Sequence, residues 1–111
     1  MTALEQLENE IIEQCLDPDG LLQLLRDNEF DDEKYQKLHN SLVDYREAVA
    51  HQKYLDKKVA GYLRTIEGVF SNTVAYLDRQ RTTSDTTNKI HRAHPEILDL
   101  MDTIFDVNFE G

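Results

Sequence analysis

The stretch that decides the fold is residues 32–80, DEKYQKLHNSLVDYREAVAHQKYLDKKVAGYLRTIEGVFSNTVAYLDRQ. It contains no proline, and its first glycine is Gly61. Strong helix formers fill it. Tyr35, Leu38, Leu42, Tyr45 and Val49 recur at three- and four-residue spacing, which puts them on one face of a helix. Leu55, Val59, Tyr62, Ile66, Val69 or Phe70, Val74 and Leu77 form a second such stripe. At about 100° per residue the second stripe is rotated from the first by roughly 80–100°. Two arrangements satisfy that rotation. One is a single long helix, bent or straight, whose buried face changes with its neighbours. The other is two helices with a break near residues 50–56 or at Gly68. Residues 49–55 carry no turn-forming residues, so the single long helix is the preferred expectation.

Working outward, Thr2-Ala3-Leu4-Glu5 has capping-box spacing. Leu4, Leu7, Ile11 and Cys15 then share a face, with Ile12 beside them. This predicts an amphipathic helix to about Leu16. Asp17-Pro18-Asp19-Gly20 ends it, either as a turn or with Asp17 capping a new helix. Leu21, Leu22, Leu24 and Leu25 predict a short apolar helix, and residues 28–32 a loop. Residues 82–88, Thr-Thr-Ser-Asp-Thr-Thr-Asn, hold no apolar side chain and predict a mobile loop. His94-Pro95-Glu96 is read as the start of the last helix, with Pro95 in its first turn. There Ile97, Leu98, Met101, Ile104 and Phe105 cover a wide apolar arc. The expectation is a single all-α domain over 1–111: a small bundle of four to five helices with one long, bent or straight, central helix.

Charge is sorted along the chain. Residues 1–33 hold eleven acids and one base, residues 34–92 eleven bases and six acids, and residues 93–111 five acids and no base. The segment charges of −10, +5 and −5 add to the net −10. An acidic head and tail flank a basic middle. Either the ends fold onto the middle, or the pieces meet partners of opposite sign. A single cysteine excludes a disulfide framework, and Cys15 reads as a buried thiol in a reducing compartment. The N-terminus lacks a secretory pattern, and no stretch is apolar enough to span a membrane. These features place the chain in the cytoplasm.

Several groups of residues are candidates for contact with a partner. On a continuous helix Arg46, Lys53, Lys57 and Arg64 would share a face within about 40°, suited to phosphates or to an acidic protein. The plain alternative is a solvated face. Tyr54, beside Lys53 and Lys57 and off both apolar stripes, would be a hot spot there. Arg79, Arg81, Lys89 and Arg92 flank the 82–88 segment. Asp99, Asp102 and Asp106 line the back of the last helix, whose apolar front is wide enough to dock in a groove or cap a dimer. His91 and His94 form an H-x-x-H pair, but Pro95 disfavours helical geometry at His94. No metal and no cofactor is expected. No nucleophile motif, phosphate loop or paired inward carboxylates point to catalysis, so the chain is not read as an enzyme. The expectation is a small acidic helical module that binds another protein, as inhibitors, immunity or antitoxin-type proteins and adaptors do. The alternatives are a nucleic-acid or nucleotide-binding regulator using the basic stripe, and a structural homodimer.

Overall fold

The computed structural model describes residues 2–50, 52, 55–81 and 83–109, with backbone alone for 106–109. Five helical segments, and no strand among the described residues, form the expected all-α bundle. It measures 42 × 27 × 19 Å. Helix α1 spans Ala3–Leu16, α2 Leu21–Arg26, α3 Asp32–Val49, α4 Lys57–Gln80 and α5 Asp85–Phe109.

The capping signals act as read at the start of the chain. Thr2 Oγ1 accepts the Glu5 N–H at 3.1 Å and starts α1. Residues 17–20 take the turn option: Gly20 N–H donates to the Asp17 carbonyl, and Asp17 Oδ1 accepts the Asp19 N–H. Helix α2 ends in a Schellman motif. Asn28 sits at φ 61°, its N–H bonds Leu25 O, and Glu29 N–H bonds Leu24 O. Asp31 caps α3 through the Lys34 N–H at 2.9 Å.

The segment 32–80 divides into two helices. The break falls at residues 50–56, the second of the two arrangements that the stripes allow. Its chemistry is an N-cap rather than a turn. Asp56 Oδ1 accepts the Lys58 and Val59 N–H groups at 2.9 and 3.1 Å, starting α4 afresh. Gly68 lies within α4 and does not interrupt it.

The last helix begins ten residues earlier than expected. Ser84 caps it: its Oγ accepts the Thr87 N–H at 3.1 Å, and its carbonyl accepts the Asn88 N–H. Residues 85–88, expected in a loop, are the first turn of α5. Thr87, Ile90 and Ala93 are buried, so this turn is drawn onto the bundle by core contacts. Pro95 is internal to α5 rather than at its start. Its missing N–H removes one backbone bond, to the His91 carbonyl, and its ring faces solvent.

Side-chain contacts give the packing order. Helix α1 packs on α3 and α4, and α5 packs on the same two. Gln14 meets Ser41 and Glu8 meets Tyr45, so α1 and α3 run antiparallel. Asp78 meets His91 and Ser71 meets His94, so α4 and α5 also run antiparallel. Two diagonals follow, α1 with α5 and α3 with α4. Along the second diagonal, α3 ends at Val49 and α4 begins at Lys57. The short α2 packs on α4 and α1.

The core joins all five segments. Ile11, Leu22, Leu25, Leu42, Tyr45, Leu63, Ile66, Phe70, Ile90, Ile97, Met101 and Ile104 are its largest fully buried side chains. Each buried aliphatic of this kind contributes on the order of 2 kcal/mol. The first stripe is buried as read, apart from a half-buried Tyr35. On α4 the buried face is rotated slightly: Leu63 and Thr73 are inside, while Tyr62 and Val74 are only partly covered. Thr73 is satisfied there, its Oγ1 within 3.1 Å of the Leu25 carbonyl and 2.8 Å of the Val69 carbonyl.

Gly20 is required by space. A Cβ there would lie 3.0 Å from Asp17 Cβ and from the Gln14 carbonyl oxygen. Gly20→Ala is expected to cost about 1–2 kcal/mol in urea unfolding. Gly61→Ala meets nothing within 4 Å and is expected to gain about 0.5–1 kcal/mol by helix propensity.

Candidate functional site

The basic stripe is not assembled, because its premise was a continuous helix. Arg46 is half-buried on α3, whereas Lys57 and Arg64 are on α4, the helix diagonally across the bundle. The Arg64 guanidinium lies 4.9 Å from the centre of the Phe105 ring, against α5. Lys53 and Tyr54 fall outside the described residues. Arg79 and Arg81 are exposed where α4 ends, and Arg81 is left-handed at φ 52°. Lys89 is paired with Asp32 at 2.8 Å, and that carboxylate holds the ammonium above its ordinary pKa.

The histidine pair is helical after all, since α5 runs through both residues. Each has a separate partner on α4. His91 Nε2 is 3.1 Å from Asp78 Oδ1, and His94 Nε2 is 3.1 Å from Ser71 Oγ. They are seam contacts between α4 and α5. Among the described residues no group of three His, Cys, Asp or Glu is placed to hold a metal ion. Likewise no helix among them is long and apolar enough to cross a membrane. Cys15 lies on the core with its pKa pushed up to about 11 by burial, partly offset by Arg26. A thiol so held is a poor nucleophile.

The acidic elements form two separated faces. On α1, Glu5, Glu10 and Glu13 are exposed. On α5, Asp99 and Asp102 are exposed; Asp106 is on the same helix, its side chain outside the described residues. Since α1 and α5 are diagonal, the two faces point to opposite sides of the molecule. Ion pairs among the described residues are Lys89–Asp32, His91–Asp78 and His39–Glu96. None of them uses an acid of α1, nor Asp99 or Asp102. Head and middle do meet elsewhere: Asp32 pairs with Lys89, and Lys37 of α3 lines a pocket with Glu10 and Glu13.

Two tyrosine–carboxyl contacts tie the acidic helices to α3, and periodicity gave no sign of either. Tyr45, fully buried, donates its hydroxyl to Glu8 Oε2 at 3.4 Å. Tyr35 donates to Glu96 Oε2 at 2.9 Å, with His39 Nε2 3.8 Å from the same oxygen. Burial, and then the neighbouring carboxylate, raises the pKa of both phenols, so they remain donors. Glu8 is itself raised, by burial first and then by Asp56, with Glu5 adding to it and the Tyr45 hydroxyl opposing. Like charge thus accumulates where α1 meets the start of α4.

A further feature is an open groove of about 450 Å³ between α2 and α4, lined by Leu25, Arg26, Asn28, Val69, Asn72, Thr73 and Tyr76. Comparison with family models, curated proteins and solved structures finds no match for this chain.

The raised Glu8 carboxyl has a consequence for stability. A group with a raised folded pKa binds its proton more tightly in the folded chain. Its contribution is full below the unfolded value, near 4.5, and is lost as pH rises through the folded value. Glu8→Gln keeps an acceptor for Tyr45 and removes the charge. Its Tm is expected to exceed that of the wild type at neutral pH, with the difference closing as pH falls below the unfolded value. Thermal unfolding across that range checks it.

Proposed function

We propose that the protein is a cytoplasmic binding module that works by association with another protein, presenting the acidic faces of α1 and α5 to a basic surface. The observation that supports this reading is that acids of these faces are exposed and outside the ion pairs among the described residues. Glu5, Glu10 and Glu13 are exposed, and no ion pair among the described residues engages them. Carboxylates spent on internal pairing would be unavailable to a partner. Here Glu5, Glu10 and Glu13 are exposed along one helix. Such a face steers a basic partner into encounter and fixes its orientation. An inhibitor or adaptor needs nothing more, because occupying a surface is the whole of its action.

Division of the basic stripe between diagonal helices removes the support for a phosphate-binding strip along one helix. The reading through acidic faces does not depend on that strip.

The test is a pull-down from lysate of the native host with nuclease present, followed by titration of the recovered protein. A basic protein, bound stoichiometrically, is expected. Its affinity should fall on the order of tenfold or more between low and physiological salt. The double reversal Glu10→Lys/Glu13→Lys and the double reversal Asp99→Lys/Asp102→Lys identify the face in use. One of them should weaken binding on the order of tenfold while leaving the fold intact. Binding indifferent to salt and to both reversals would contradict the reading.

A further inference from the structure

A second hollow, of about 220 Å³, lies between α3 and α5. Its apolar part is Phe30, Tyr35 and Ala93; its charged part is Asp32, Lys89, Arg92 and Glu96. Ala93 is buried, and the half-buried rings of Phe30 and Tyr35 lie with their centres 5.3 Å apart. Phe70 of the core braces Tyr35 edge-on at 6.3 Å. The four charged residues are not equivalent. Lys89 and Asp32 satisfy each other at 2.8 Å. Arg92 is exposed and enters no ion pair or hydrogen bond among the described residues. Glu96 takes both of its contacts, from the Tyr35 hydroxyl and the His39 ring, on Oε2. Its Oε1 has no partner among the described residues. The hollow therefore holds one uncommitted guanidinium and one uncommitted carboxylate oxygen. They are one turn apart on α5, about 6 Å along the helix axis. A base four residues before an acid is the weaker order for a helical ion pair, and Arg92 and Glu96 are not paired with each other.

We infer that this hollow binds a free α-amino acid with an apolar side chain. The amino acid's carboxylate meets the Arg92 guanidinium, its ammonium meets Glu96 Oε1, and its side chain covers Phe30, Tyr35 and Ala93. The proposal is independent of the acidic-face reading. Three features select this class of ligand. The first is charge. Two bases and two acids line the hollow, so a ligand with no net charge but with two charged ends matches it, and a plain anion or cation does not. A chain of net charge −10 also repels free anions. The second is size. A space of about 220 Å³ takes on the order of ten non-hydrogen atoms. That is one molecule of leucine or phenylalanine, and well short of a nucleotide. The third is layout. An apolar surface beside two unlike charges mirrors a molecule whose ammonium, carboxylate and side chain share one carbon, and such polar groups at an apolar wall fix a ligand's orientation. A small, open site of this kind suits a dissociation constant on the order of 0.1–1 mM.

Amide NMR of the isotope-labelled full chain, titrated with L-phenylalanine to about 10 mM, tests this. Saturable shifts are expected at Phe30, Tyr35, Lys89, Arg92, Ala93 and Glu96. Arg92→Gln and Glu96→Gln should each weaken binding at least about tenfold, the effect of losing one hydrogen bond to a charged group. Both positions are exposed, and glutamine at 96 keeps an acceptor for Tyr35, so the fold is retained. Hydrocinnamate, which lacks the ammonium, and phenethylamine, which lacks the carboxylate, should each bind at least about tenfold more weakly than L-phenylalanine. Arg79→Gln, away from the hollow, should leave binding unchanged. No shift at the highest concentration, or shifts that map elsewhere, overturns the proposal. Binding that survives Arg92→Gln or Glu96→Gln, or that is matched by either analogue, overturns it equally, since the two charged ends would then not be read.

Discussion

The diagonal passage of the chain from α3 to α4 governs everything else in this molecule. Asp56 ends the link by capping α4 with two backbone bonds. Helices α3 and α4 occupy opposite corners, where a tight hairpin would have set them side by side. That placement leaves room for α1 and α5 to occupy the other two corners. Helices α1 and α5, whose exposed acids include Glu5, Glu10, Glu13, Asp99 and Asp102, are thereby kept apart, each flanked by α3 and α4. Had α3 and α4 been neighbours, the two acidic helices could have met, and their repulsion would have opposed the fold.

Burial of apolar surface provides the driving force, and a few polar contacts specify which helix meets which. Tyr45 to Glu8 joins α3 to α1, and Tyr35 to Glu96 joins α3 to α5. Both put a hydroxyl donor against a carboxylate from an acidic helix. His91 with Asp78 and His94 with Ser71 do the same for the seam between α4 and α5. In each case an acidic or polar side chain is held at a seam, while the remaining acids are left outward. The result is a compact body with two acidic sides.

The fold class was legible because apolar side chains recur at helical spacing along nearly the whole chain. Thr2 and the 17–20 turn could be read from local residues, whereas the Asp31 cap lay inside the stretch read as a loop. The break at 50–56 was half-legible. Rotation between the stripes of Tyr35–Val49 and Leu55–Leu77 signalled it, but Asp56 was not recognised as a cap, because no glycine or proline accompanied it. The start of α5 is hidden for a related reason. Ser84 and Thr87 lie in a polar run whose composition resembles a loop, and Pro95 supplies a competing first-turn signal ten residues later. Tertiary burial of Thr87, Ile90 and Ala93 decides the matter, and local composition carries little trace of it. For the candidate surfaces, exposure of Asp99 and Asp102 followed from helical phase. The expected alignment of Arg46, Lys57 and Arg64 failed with the continuous helix. The groove at Tyr76 needed α2 to be placed against α4, which no local pattern could supply.

That acids of the α1 and α5 faces stand outside internal ion pairs is the claim on which the functional reading rests, and the dependence of the protein's own stability on salt tests it most directly. The measurement is urea unfolding in sodium chloride, from a few millimolar to about 0.3 M, where screening of exposed charge dominates. Repulsion among unpaired carboxylates on α1, around Glu8 and Asp56, and along α5 predicts that stability rises as salt is added. A fall in stability over the same range would mean that attraction between acids and bases holds the bundle together, and that the acidic ends are spent internally.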